Sequence, residues 1–183
     1  METTIFRNPE KLAINEVIEV FKDSLAETGV FSQTDIEALA ETYAKNPVDK
    51  FIITETLTGA NGAAQGDIMI LGENTDLYKE HFSTIKNLQK TDRLVLQEGD
   101  SMTGDHRLIP MEGSKYTVQT GKFTPAFLKG KSMWRDPEYQ AILFETDKPF
   151  LIFHREHGNV ALTEGKYMFC SQLDPDTLNS MMD

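Results

Sequence analysis

Three of the four histidines in this 183-residue chain fall in two short polar segments, Thr103-Gly104-Asp105-His106-Arg107 and His154-Arg155-Glu156-His157-Gly158. A neutral imidazole offers one nitrogen lone pair, and a carboxylate offers harder oxygen donors. Two histidines and a carboxylate with open positions therefore suit a ferrous or similar divalent ion. If residues 150–156 form a strand, alternation sets Phe150, Ile152, His154 and Glu156 on one face, so an imidazole and a carboxylate point the same way. His106 follows a turn signal at the start of another strand and supplies a second imidazole. The expected metal ligands are His106, His154 and Glu156. His157 is a further ligand or a proton-transfer group, and Arg107 and Arg155 are contacts for a small ligand. The competing reading is structural. The His-x-Glu-His spacing is not the helical His-Glu-x-x-His of zinc proteases, histidines at strand ends hydrogen-bond across turns, and Arg155 beside Glu156 can form an ion pair.

The Thr103-Gly104-Asp105-His106-Arg107 segment, followed by His154-Arg155-Glu156-His157-Gly158 and Gly165-Lys166-Tyr167, resembles the β-barrel half of uncharacterised bacterial and phage proteins with a Thr-Gly-x-His-Arg and His-x-Glu-His-Gly pair. The same residues are distantly similar to cupins, whose histidines line a barrel. The resemblance spans about residues 66 to 172. It implies a β-rich ligand-binding or metal-binding domain or, from the phage side, a non-enzymatic structural or accessory protein. In the first cupin motif a His-x-His and a later Glu are the rule, whereas Asp105 and Arg107 here flank a single histidine. A third reading starts from Gly99-Asp100-Ser101-Met102, which resembles the serine motif of LexA-like and signal-peptidase families. It implies Ser101 as nucleophile and a buried lysine as base, with Lys122, Lys129, Lys131 and Lys148 in range. That family follows Ser-Met with proline, and this chain has Thr103. Ser83 and Lys86 share the Ser-x-x-Lys spacing but fall on an amphipathic stretch.

Charge is unevenly placed. The chain carries 18 Lys+Arg against 29 Asp+Glu, a net charge of −11. Yet Lys115, Lys122, Lys129, Lys131 and Arg135 follow one another without an intervening acid and interleave with Tyr116, Phe123, Phe127 and Trp134. Such a segment can meet phosphates and stack bases, but the overall negative charge opposes nucleic acid at long range. An ordinary solvated loop with its Phe and Trp in the core is the first reading of this segment, and a contact surface for an acidic protein partner the next; for the chain as a whole a protein partner or a homo-oligomer is expected. The glycines at 59, 62 and 66 lack the ending of a phosphate loop and fail dinucleotide spacing. The single cysteine, Cys170, excludes an intramolecular disulfide and reads as a buried strand residue. No apolar run approaches membrane-spanning length and the start lacks a leader pattern. A soluble cytoplasmic protein is expected, or a virion component if the chain is phage-encoded.

These segments need a scaffold, and the hydrophobic period supplies one. With 39% hydrophobic and 9% aromatic residues, the chain can bury a core. Asn8-Pro9 predicts a helix start, and Ile14, Val17, Ile18, Phe21 and Leu25 make a helical stripe that Gly29 ends. Ser32 and Asp35 resemble a capping box ahead of Ile36, Leu39, Ala40 and Tyr43. This helical pair must cover either the following sheet or another chain. Residues 51–57 and 67–71 read as strands, 59–66 as a flexible small-residue loop, and 74–88 as a third helix. Short strands are predicted over 93–97, 106–110, 116–121, 140–145, 150–155, 160–162 and 167–172, separated by turn residues. The expected division is a helical region with a following strand over 1–58, the loop at 59–66, and a β-rich domain with one inserted helix over 67–183. The fold class is α+β, an N-terminal helical hairpin with a mainly antiparallel β domain, sandwich or small barrel.

Overall fold

The computed structural model describes residues 4–7, 14–45, 50–53, 62–65, 67–98, 105–125, 128, 137–155 and 157–171. In chain order the elements are β1 (Thr4–Arg7), α1 (Ile14–Glu27), α2 (Gln33–Lys45), β2 (Lys50–Ile53), β3 (Gly62–Gln65), β4 (Ile68–Gly72), α3 (Asp76–Phe82), β5 (Lys86–Thr91), β6 (Val95–Gln97), β7 (His106–Pro110), β8 (Tyr116–Phe123), β9 (Tyr139–Thr146), β10 (Phe150–His154), β11 (Gly158–Leu162) and β12 (Gly165–Ser171). The protein is α+β, with two six-stranded sheets ordered β1-β2-β11-β10-β7-β6 and β3-β4-β12-β9-β8-β5. This is the two-sheet alternative of the expected β architecture. Among the strand pairs with a defined register, only β2 with β11 is parallel.

The chain divides into two compact units that interleave along the sequence. The first comprises Met1–Leu57, Leu94–Lys115 and Thr146–Glu164, the second Thr58–Arg93, Tyr116–Glu145 and Gly165–Asp183. The N-terminal segment thus shares its unit with 94–115 and 146–164. Its strands β1 and β2 pair antiparallel and flank the helical hairpin in sequence, and β2 joins β11 at Asn159 opposite Phe51. Sequence periodicity missed β1 because four residues are too few to show alternation.

In the first unit α1 ends as its residues require. Gly29 adopts φ +68°, which glycine takes without a Cβ penalty, and its N–H donates to the Ala26 carbonyl at 3.0 Å. The capping box opens α2: the Asp35 N–H donates to Ser32 Oγ at 3.2 Å, and that hydroxyl donates to Asp35 Oδ2 at 2.6 Å. The expected N-cap at Asn8-Pro9 lies outside the described residues. The stripes of both helices bury Phe21, Leu25, Ile36, Leu39, Ala40 and Tyr43 with Met111, Leu151 and Ala161. The helical pair thus covers its own sheet. Phe21 and Tyr43 stack with ring centres 4.8 Å apart, a contact that adds about 0.5–1.5 kcal/mol beyond area burial.

In the second unit α3 covers part of the sheet and shares a core with Leu71, Phe123, Ala141, Leu143, Met168 and Cys170 through Tyr78. Thr75 caps it, accepting from the Tyr78 N–H at 3.1 Å. The helix is shorter than the 74–88 stripe predicts. Ser83 is its C-cap, and Thr84 Oγ1 lies 2.8 Å from both the His81 and Thr124 carbonyls and accepts from the Thr124 N–H at 3.2 Å. These bonds to Thr124, the residue after β8, hold the chain out of the helix, and Ile85 and Leu88 then belong to the start of β5 and its approach. The small-residue stretch expected as a loop contributes β3, which pairs with β4 from Gly62 opposite Leu71 to Gln65 opposite Ile68.

Candidate metal and ligand site

The site lies in the first unit, on β7, β10 and the turn into β11. β7 and β10 pair antiparallel with Phe150 opposite Pro110, Ile152 opposite Leu108 and Phe153 opposite Arg107. One further step of that register sets His106 against His154. Alternation puts Leu108 and Ile152 on their face, whereas Ile109 and Leu151 pack with the helices. The histidines therefore occupy the sheet face opposite the helical hairpin. On the other side of β10, Ile152 faces Val160 and His154 faces Gly158, where β11 begins with φ +83°. The resulting turn returns His157 to the same place. β6 adds an irregular pairing, with Gln97 opposite His106.

The three imidazoles form a compact group. Ring centres are 3.9 Å apart for His106 and His154, 4.5 Å for His154 and His157, and 5.7 Å for His106 and His157. His154 thus sits at the corner of a near right angle. Their available ligand nitrogens all lie within 4.8 Å of one another. His106 is 3% and His154 2% exposed, while His157 is half-buried, so the group is withdrawn from bulk water yet reachable at one corner. His154 also performs the structural task weighed against metal binding: its Nδ1 accepts the His157 N–H at 3.1 Å.

The other expected site residues are placed differently. β10 ends at His154, so the strand face supposed to carry Glu156 stops two residues short, and Glu156 lies outside the described residues. Arg107 alternates to the face away from His106. It is exposed and donates from Nη2 and Nε to Asp105 Oδ2 at 2.7 and 3.2 Å. Arg155 is exposed in the turn after β10. Ser101, Lys129 and Lys131 lie outside the described residues. Lys122 is exposed on β8 in the second unit, and Lys148 Nζ donates to the Glu112 carbonyl at 3.3 Å. Ser83 donates to the Glu80 carbonyl at 2.7 Å as a helix cap, the ordinary reading of its Ser-x-x-Lys spacing. Cys170 is buried, and desolvation pushes its thiol up to about 12, which leaves it inert as a nucleophile.

One buried group escaped sequence reasoning. His81 on α3 is 2% exposed, stacks at 4.7 Å on Phe123, and its buried Nδ1 has no hydrogen-bond partner among the described residues. Burial lowers its pKa from the ordinary 6.5, with the Glu80 charge opposing the shift. Its place within the stretch 74–88, expected as a helix, is the only signal in the sequence, and it says nothing of chemistry.

No helix among the described residues is long and apolar enough to cross a membrane. Comparison with protein-family models, with curated proteins and with solved structures finds no match. What the fold and site define is a β-rich α+β protein with a three-histidine cluster at a strand end and turn.

Proposed function

We propose that this protein binds a divalent transition-metal ion, or a small ligand held through one, at His106, His154 and His157. The observation that carries the reading is the convergence of three imidazoles whose ligand nitrogens lie within 4.8 Å, with two of the three residues almost fully buried. Neutral imidazole suits zinc, copper, nickel and iron. Nitrogens sharing one such ion at bonds of about 2.0 Å stand roughly 3.3 Å apart in a tetrahedral shell, so binding draws the ligand nitrogens together by up to about 1.5 Å, and the rings, whose planes lie within 25° of one another, must turn out of their stack to aim at it. Three protein ligands leave a position for water or a small ligand, where the metal would act as a Lewis acid. The chain's own residues provide the donors, with His106 on β7 and His154 at the end of β10.

A second reading also has a specific observation behind it. The bond from the His157 N–H to His154 Nδ1 gives the cluster a structural role in closing the β10–β11 turn. Elemental analysis of untagged protein, compared with a His106→Ala/His154→Ala double variant, separates the two. Metal near one equivalent in the parent and none in a folded variant is expected. Absence of metal from the parent, even after incubation with zinc and removal of the excess, refutes the metal reading and leaves the turn-closing one.

A further inference from the structure

We infer that His154 is an exchangeable ligand: it holds the β10–β11 turn in the metal-free protein and must give up that bond when a metal enters the cluster. The inference rests on the metal-binding reading and adds a conformational consequence to it. A neutral imidazole has one N–H and one lone pair. Because His154 Nδ1 accepts the His157 N–H at 3.1 Å, the lone pair is at Nδ1 and the hydrogen at Nε2. A metal has two ways to reach this ring. At Nδ1 it takes the lone pair that the amide is using. At Nε2 it requires the hydrogen to move to Nδ1, which then presents a donor to another donor. Both routes break the same bond, and in both the ring keeps one hydrogen, so no net proton leaves His154.

The scaffold decides where the movement falls. His106 sits on β7, between β6 and β10 in the sheet order, and cannot shift without disturbing two ladders. His154 is the last residue of β10, opposite Gly158, and His157 belongs to the turn itself. A ring bound through one nitrogen at about 2.0 Å has its centre about 3 Å from the ion, so ring centres sharing a tetrahedral ion stand about 5 Å apart; the pairs at 3.9 and 4.5 Å must open while His106 and His157, 5.7 Å apart, close slightly, and the adjustment falls on the turn. His157 is the half-buried corner of the cluster, so the ion meets it first. The assigned order is capture by His157 and His106, followed by release of His154 Nδ1 from the His157 N–H, after which the ring binds through Nδ1 or Nε2. The β10–β11 turn thus has two arrangements, one closed by an amide-to-imidazole hydrogen bond and one closed by the metal.

The test is nuclear magnetic resonance of protein labelled with nitrogen-15, titrated with zinc alone, following the His157 amide proton and the two ring nitrogens of His154. Without zinc, His154 should show a hydrogen on Nε2 and an accepting Nδ1. With zinc, the amide proton should lose its hydrogen-bonded shift and the ring pattern should change in step with occupancy. Two variants divide the roles. His154→Asn keeps a side-chain oxygen able to accept an amide N–H at a turn but no imidazole; it should keep the parent's unfolding midpoint and weaken zinc binding about tenfold or more. His154→Ala should lose both. Zinc bound with the His154 ring and the His157 amide unchanged overturns the exchange while leaving a metal site at the other histidines. No zinc binding by the parent overturns both readings.

Discussion

Replacing Gly121 by alanine tests how closely β5 and β8 approach in the second unit. β5 pairs with β8 through Lys86 opposite Lys122 and Gln89 opposite Thr120, with a register shift between, and Asn87 in that bulge has φ +57°. A Cβ on Gly121 would stand 2.9 Å from Ile85 Cγ2, 3.1 Å from Leu88 Cδ2 and 3.1 Å from the Lys86 carbonyl oxygen. The two side chains can rotate away, but the carbonyl belongs to the strand and moves only with the ladder. Overpacking of this kind costs about 1–3 kcal/mol. Gly121 does not have a positive φ, so alanine also recovers about 0.5–1 kcal/mol of backbone entropy. The net expectation is a loss centred near about 1 kcal/mol and reaching about 2.5 kcal/mol. It should appear in urea unfolding as a lower midpoint at unchanged slope. Leu88 is 41% exposed, so Leu88→Ala alone should cost little. Combined with Gly121→Ala it should recover part of the loss, the carbonyl contact remaining. A Gly121→Ala protein as stable as the parent, or one fully rescued by Leu88→Ala, refutes the claim that the backbone of the bulge sets the limit.

Two further expectations follow from the cores. Phe21→Ala removes a fully buried ring stacked on Tyr43 and should destabilise the first unit by about 3–5 kcal/mol in urea unfolding; a loss below about 1 kcal/mol would contradict the packing of the helices on their sheet. His81 tests pH dependence. Burial holds its folded pKa below 6.5, so the unfolded chain takes up the proton more readily, and the contribution is fully present above pH 6.5 and lost as pH falls toward the lower folded value. The parent should therefore lose stability relative to His81→Phe across that window, and parallel pH profiles would refute the assignment.

How much of this was legible depends on the range of the interaction. The Gly29 stop, the Ser32–Asp35 box and the strands from β6 to β12 follow from residues within one turn or strand of each other, and periodicity located them to within a few residues. Where long-range pairing decides, the sequence pattern misleads. Ile85 and Leu88 continue the helical stripe of Tyr78 and His81, but the bonds from Thr84 to Thr124 depend on a strand forty residues away. Gly121 reads as a turn signal ending a strand, yet β8 continues to Phe123. Glycine is there because the bulge of β5 comes close, a reason that belongs to the partner strand. The division into interleaved units is likewise set by which strands pair.

The candidate site shows the same split at the level of single atoms. That His106 and His154 lie at strand ends could be read from turn residues, and their convergence was expected from the density of polar groups. Their opposition rests on the β7–β10 register, which no local pattern specifies. The carboxylate assigned to the cluster depended on extending β10 past His154. The strand ends at His154, whose ring takes the His157 N–H, and Glu156 lies outside the described residues. Turn closure and metal binding draw on one lone pair of one imidazole. Residue spacing cannot distinguish them, because both place a histidine at the strand end, and turn closure asks only for a backbone N–H three residues on, which His157 supplies along with its imidazole. What His154 Nδ1 meets separates the two: the His157 N–H in the turn-closing state, and the metal or a hydrogen of its own when a metal is bound.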